Sequence, residues 1–221
     1  MPMQLNHKKL SALPIFLGLS EKELTEIAGT TRFNLKHHKK GSTIVKEGDA
    51  CTSLVSVTDG WMEIDTYADN RSYHIEELVQ ATQILEPDKL FGLSLHYHST
   101  CRAYTTCESV SISKEELTQL LDKFIIVRLN YLNLICRRTQ HLERQPWQPK
   151  SQELTERIAL FIKQHSRYPA GRKVLHIKMS QLANELNVSR LDISNALNSM
   201  NEAEKIIQRR GMVEVPALQL L

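Results

Sequence analysis

The chain has 221 residues, 41% of them hydrophobic and 24% charged, with a formal net charge of +3. This balance excludes disordered, collagen-like and membrane-spanning classes, because there is enough apolar material for a packed core and no run of about 18 apolar residues to cross a bilayer. The charge is unevenly spread: residues 1–150 hold 18 basic and 18 acidic side chains, whereas 151–221 hold ten basic against seven acidic, so the whole excess lies in the last third.

The opening Met1-Pro2-Met3-Gln4-Leu5 lacks the apolar core of a secretory signal, and a cytoplasmic protein is expected. Ser20-Glu21-Lys22-Glu23 has the form of a helix start, with Leu24, Ile27 and Ala28 following on one face. From Phe33 to about Ile112, short β-prone runs (Thr43–Val45, Leu54–Val57, Trp61–Ile64) are punctuated by Lys40-Gly41, Glu47-Gly48-Asp49 and Asp59-Gly60, the pattern of a β-sandwich or barrel. Cys51, Cys101, Cys107 and Cys136 form no CxxC pair, and no metal site is expected from them.

Residues 114–144 contain neither Gly nor Pro, and Leu121, Ile125, Arg128, Leu132, Ile135, Thr139 and Leu142 alternate steps of four and three. That spacing predicts one helix of about 30 residues with a seam for a second helix, a spine or dimer contact. Pro146 and Pro149 end it, placing a hinge over 146–150.

A second module is expected over 151–221. Ser180–Leu197 reads as helix, tight turn, helix: Ser180 and Ser189 can each cap a helix, Asn187 tolerates the left-handed backbone of a sharp turn, and Leu182, Ala183, Leu186, Val188, Ile193 and Ala196 form the inner faces. In that register Ser189, Arg190, Leu191, Ser194, Asn195 and Asn198 point outward from the second helix, where side chains would enter a DNA major groove. Arg190 suits guanine O6/N7 and Asn195 suits adenine N6/N7, while Ser180 and Ser189 suit phosphate oxygens. Downstream, Lys205–Val215 reads as a β-hairpin with a basic tip at Arg209 and Arg210, a wing reaching backbone phosphate.

Lys40-Gly41-Ser42, Glu47-Gly48-Asp49-Ala50, Asp59-Gly60 and the Ser189-Arg190 helix start resemble the CRP/FNR family of bacterial transcription regulators. The resemblance implies an α+β chain with a β jelly-roll effector domain of the cyclic nucleotide-binding type over 1–113, a dimerisation helix over 114–145, and a winged helix-turn-helix DNA-binding domain over 151–221. It implies a homodimer, double-stranded promoter DNA, RNA polymerase and a small-molecule effector as partners. Cyclic-nucleotide binders of the family carry Gly-Glu-Leu followed by Arg-Ser-Ala. Here Lys89 stands for the acid and Cys101 for the arginine, with Arg102 beside it, and cyclic AMP is not the expected effector. Lys89, Phe91, Gly92, Leu93, Cys101 and Arg102 are the candidate effector-pocket residues. Leu191 after Arg190, where many members have Glu, implies a different operator.

A haem- or metal-dependent gas sensor is the alternative, drawing on His74, His96, His98, Cys101 and Cys107; no cofactor is otherwise expected. No nucleophile elbow, P-loop, dinucleotide fingerprint or HExxH helix is present, so an enzyme is not expected.

Overall fold

The computed structural model describes residues 7–144 and 152–221, and the hinge expected over 146–150 lies outside them. The described chain falls into two compact units. One combines residues up to Met62 with Gln80–Arg144; the other combines Glu63–Val79 with the C-terminal residues up to Leu221.

The first unit opens with helices α1 (His7–Ser11) and α2 (Glu21–Thr30). The helix start read at Ser20 is a full capping box: Ser20 accepts from the Glu23 N–H, and the Glu23 carboxylate accepts from the Ser20 N–H at 2.8 Å. Strands β1 (Phe33–His38), β3 (Ser53–Asp59), β6 (Gln83–Leu85) and β8 (Cys107–Ser113) form an antiparallel sheet in the order β1-β8-β3-β6, while β2 (Thr43–Val45) pairs with β7 (Thr100–Ala103). Gly60 follows β3 at φ +92, and a Cβ there would overlap the Thr106 carbonyl oxygen, so this turn requires glycine on both counts.

The single long helix expected over 114–144 is two helices, α3 (Lys114–Lys123) and α4 (Ile125–Arg144). Phe124 between them is extended at φ −114, ψ 104 and only 7% exposed. Burying its ring turns the chain, and the β-branched run Ile125-Ile126-Val127 offers little resistance to a break. The carbonyls left at the end of α3 are satisfied by Arg128, whose Nε donates to Leu121 O at 2.6 Å and Nη2 to Asp122 O at 3.0 Å.

In the second unit, β4 (Trp61–Tyr67), which the chain enters from the first unit, is followed by β5 (His74–Gln80). Strand β5 pairs antiparallel with β9 (Lys173–His176), which pairs with β11 (Met212–Val215), which pairs with β10 (Ile207–Arg209). Helices α5 (Leu154–His165), α6 (Met179–Leu186) and α7 (Arg190–Glu202) complete it. Ile75 of β5 lies in the same buried cluster as Ile158, Ile162, Leu175, Leu182, Ile193, Leu197 and Val213. A strand from the middle of the β-rich region thus completes the C-terminal core.

The β5–β9 pairing is locked by charge. Glu77 and Lys173 are both fully buried, with Lys173 Nζ 3.0 Å from Glu77 Oε1. Glu77 also accepts from the Arg167 and Tyr168 N–H groups at 3.0 and 3.1 Å, and Lys173 donates to Ala170 O at 2.8 Å. At one side His74 and His176 stack with centroids 4.2 Å apart and planes 6° from parallel, and Tyr67 covers His74 at 4.5 Å.

This packing has two measurable consequences. Lys173→Met leaves the Glu77 charge buried and partly uncompensated, and should cost about 3–5 kcal/mol in urea unfolding, part of which Glu77→Gln restores in the double variant. Burial, with the neighbouring His176 adding to it, holds the His74 imidazole below its usual pKa of 6.5; burial, with Lys36 and His37, does the same to His38. The unfolded chain therefore takes up protons before the folded one does, so stability is full above about pH 6.5 and is lost as pH falls through the lower folded values. Melting temperature should decline below that point, and His74→Gln should flatten the decline.

Candidate nucleic-acid interface

Helices α6 and α7 meet through Asn187, which takes the left-handed conformation (φ 51, ψ 55) expected of it and ends α6. Arg157 of α5 donates to the Leu186 carbonyl at the same end, a long-range cap with no signal in the local sequence. Ser189 caps α7 as expected, in a capping box with Asp192: the Asp192 N–H donates to Ser189 Oγ at 3.1 Å, and Ser189 Oγ donates back to Asp192 Oδ2 at 2.7 Å.

The cap assigned to Ser180 is corrected. Helix α6 starts at Met179 with Lys178 as N-cap, and no side chain caps it. The extended backbone at Lys178 (φ −76, ψ 143) begins the helix earlier, so Ser180 sits in the first turn and is exposed.

The face of α7 that is turned from the core carries Arg190, Leu191, Asn195 and Asn198, all exposed, while Ile193, Ala196, Leu197 and Met200 are buried. Ser194 is half-buried, and Leu191 is 69% exposed. The wing is the hairpin β10–β11, closed by Arg210-Gly211 with Gly211 at φ +75. Asn201 near the end of α7 holds it, accepting from the Gln208 N–H at 3.0 Å.

These elements enclose an open cleft of about 1040 Å³. Of the residues selected from sequence, the cleft brings together Ser180, Arg190, Asn198, Arg209 and Arg210; Ser189, Leu191, Ser194 and Asn195 are not among its lining residues. It adds Lys178, Asn201 and Gln208, whose polar character carried no pattern that singled them out. Arg209 pairs with Glu214 at 3.7 Å, whereas among the described residues Arg190 and Arg210 form no ion pair.

On α4 the expected seam is mostly exposed. Arg128 is turned back onto α3, and Leu121 and Ile135 are half-buried, while Ile125, Leu129, Leu132 and Leu142 are about half exposed and Cys136 and Thr139 are exposed. The break at Phe124 places Leu121 on α3 and the other six seam positions on α4.

The residues selected for an effector pocket lie in differing surroundings. Lys89 lies 3.8 Å from Asp88, Phe91 packs edge-on against Tyr131 at 5.9 Å under Lys114, Gly92 and Leu93 are exposed, and Cys101 is buried while the adjacent Arg102 is half-buried. Of the gas-sensor set, His96 forms an isolated bridge with Ala50, both His96 and His98 are exposed, and burial pushes the Cys107 thiol pKa up. Among the described residues, the grouping with metal-ligand spacing is Glu63, Asp65 and Glu76, and Arg172 already lies 3.2 Å from Glu76. No helix among the described residues is long and apolar enough to cross a membrane.

Residues 35–124 match the cyclic nucleotide-binding domain family. Compared with curated protein sequences, the chain has no match. A CRP/FNR-family transcriptional regulator from Eubacterium rectale is similar in structure at 19% identity, covering 96% of this chain and 100% of that one with a TM-score of 0.53. The catabolite activator protein of Thermus thermophilus is similar at 19% identity, over 91% of this chain and 93% of that one, with a TM-score of 0.50. The sensor domain of the regulator DNR from Pseudomonas aeruginosa is similar at 16% identity over 67% of this chain and 95% of that one, also at 0.50. The chain therefore carries a domain of the cyclic nucleotide-binding type and has the fold of the CRP/FNR transcription regulators.

Proposed function

We propose that the chain is a sequence-specific regulator that binds double-stranded DNA as a homodimer and acts on transcription with RNA polymerase. The observation that carries this reading is the cleft in which Arg190 and Asn198 of α7, Lys178 and Ser180 at the start of α6, and Arg209 and Arg210 of the wing face one volume. A helix with an arginine at its first turn suits base edges in the major groove, and cations on both flanks suit the two phosphate strands that border it. The first-turn N–H groups of α6, uncapped by any side chain, suit a phosphate oxygen. Arg190 can read guanine in a fork, and Leu191 offers only apolar contact, suited to a thymine methyl.

Self-association is assigned to α4, where Ile125, Leu129 and Leu132 present an apolar stripe at helical spacing. Joining two copies would double the reading surface, which suits a protein whose total charge is only +3.

In vitro selection of DNA on the purified protein should return a two-fold symmetric site whose half-sites lie about one helical turn apart; an asymmetric site or none would sink both assignments. Arg190→Ala should weaken the selected site about 10–100-fold, equivalent to about 1–3 kcal/mol, and relax preference at one base position per half-site. Arg210→Ala should instead lower affinity for all sequences alike and reduce the slope of log affinity against log salt by about 0.9 for each phosphate that is no longer neutralised. Unchanged base preference in Arg190→Ala, measured by mobility shift, would remove α7 from the reading role.

A further inference from the structure

Glu86 is an unusual acid. It follows β6 in the left-handed conformation (φ 40, ψ 57) that a residue with a Cβ adopts at a cost, and it is only 5% exposed. Its carboxylate is held by two successive main-chain donors: the His98 N–H donates to Oε2 at 2.8 Å and the Ser99 N–H to Oε1 at 2.9 Å. In a strand, successive N–H groups point to opposite sides. Two aimed at one ion require the bend found at 98–99, which makes the concave pair of amides that binds oxyanions. The negative charge is felt nearby, where burial above all, with the Glu86 charge among the lesser causes, pushes the Tyr97 phenol pKa far up.

This bend lies inside residues 35–124, the segment that matches a domain type named for cyclic nucleotides. A cyclic phosphodiester is a singly charged oxyanion that presents two oxygens to side-by-side donors, and so does a carboxylate. We propose that Glu86 is a built-in ligand: its carboxylate occupies the anion-binding turn of the domain, so the chain holds that turn in a filled state without a phosphate-bearing effector and excludes one that arrives. The filled turn is tied onward to α4. The Tyr131 hydroxyl donates to the carbonyl of Pro87, the next residue, at 2.8 Å, and Arg138 pairs with Asp88. The filled turn is thereby joined, through the two residues that follow Glu86, to the helix that carries the exposed apolar stripe.

Occupancy of this turn does not depend on DNA binding, and thermal unfolding reads it alone. The full chain is melted in a phosphate-free buffer, then with millimolar cyclic AMP and, separately, with inorganic phosphate. The wild type should not shift with either. Glu86→Gly, which suits the left-handed backbone while vacating the two amides, should melt lower and regain stability as anion concentration rises. Recovery with both anions marks a general oxyanion turn, and recovery with cyclic AMP alone marks one that still selects a nucleotide; either supports the proposal. A wild-type shift with cyclic AMP overturns it. So does a Glu86→Gly protein that melts lower but responds to neither anion, because Glu86 would then only staple a loop. If Glu86→Gly does not fold, amide hydrogen exchange on the ligand-free wild type decides the matter: the His98 and Ser99 amides should be protected, and exchange at open-chain rates would refute a filled turn.

Discussion

The buried ion pair between Glu77 and Lys173 is the constraint on which the second unit depends. Neither side chain reaches water, so each charge is tolerable only because the other is 3.0 Å away and the remaining valences are met by the 167–168 amides and the Ala170 carbonyl. A pair held this tightly fixes register, because a slip of one residue would send both side chains to opposite faces of the sheet. Register fixed at Glu77↔Lys173 places Ile75 opposite Leu175 in the core and His74 opposite His176 at the rim. Arg172, adjacent to Lys173, then bridges Glu76 of β5 and Glu214 of β11, extending the polar lock across three strands.

The cleft between α7 and the wing inherits its rigidity from that sheet. Strand β11 is one arm of the wing and pairs with β9 along its length, so the basic tip at Arg209-Arg210 is an extension of a locked ladder and not a free loop. On the other side of the cleft, α7 is seated by Ile193, Ala196, Leu197 and Met200 and joined to the wing through Asn201. Flexible arginines thus project from two fixed walls, an arrangement that preserves their spacing while leaving their ends adaptable.

The helix-turn-helix was legible because its determinants are local. Asn187 at a left-handed position, Ser189 three residues before Asp192, and apolar residues at helical spacing each act within a turn or two, and all appear where the spacing places them. The Arg210-Gly211 tip and the Ser20 helix start were legible for the same reason. The 114–144 segment misled because absence of Gly and Pro predicts helix but does not say where a buried ring will bend it; Phe124 and the returning Arg128 decided that. Ser180 misled because a serine one residue inside a helix looks like a serine that begins one.

What the sequence determined by itself is the class of chain and its C-terminal elements: a β-rich N-terminal part, helices after it, and a helix-turn-helix and wing with Arg190, Asn198, Arg209 and Arg210 turned outward. Only tertiary structure assigned Glu63–Val79 to the company of the C-terminal residues, paired Glu77 with Lys173, and laid the Glu86 carboxylate on the amides of His98 and Ser99. The division has a physical reason. Caps, turns and amphipathic faces are settled among neighbours along the chain, whereas an acid in a sequence does not reveal whether it will meet water, a buried lysine or two backbone N–H groups until distant segments are folded against it.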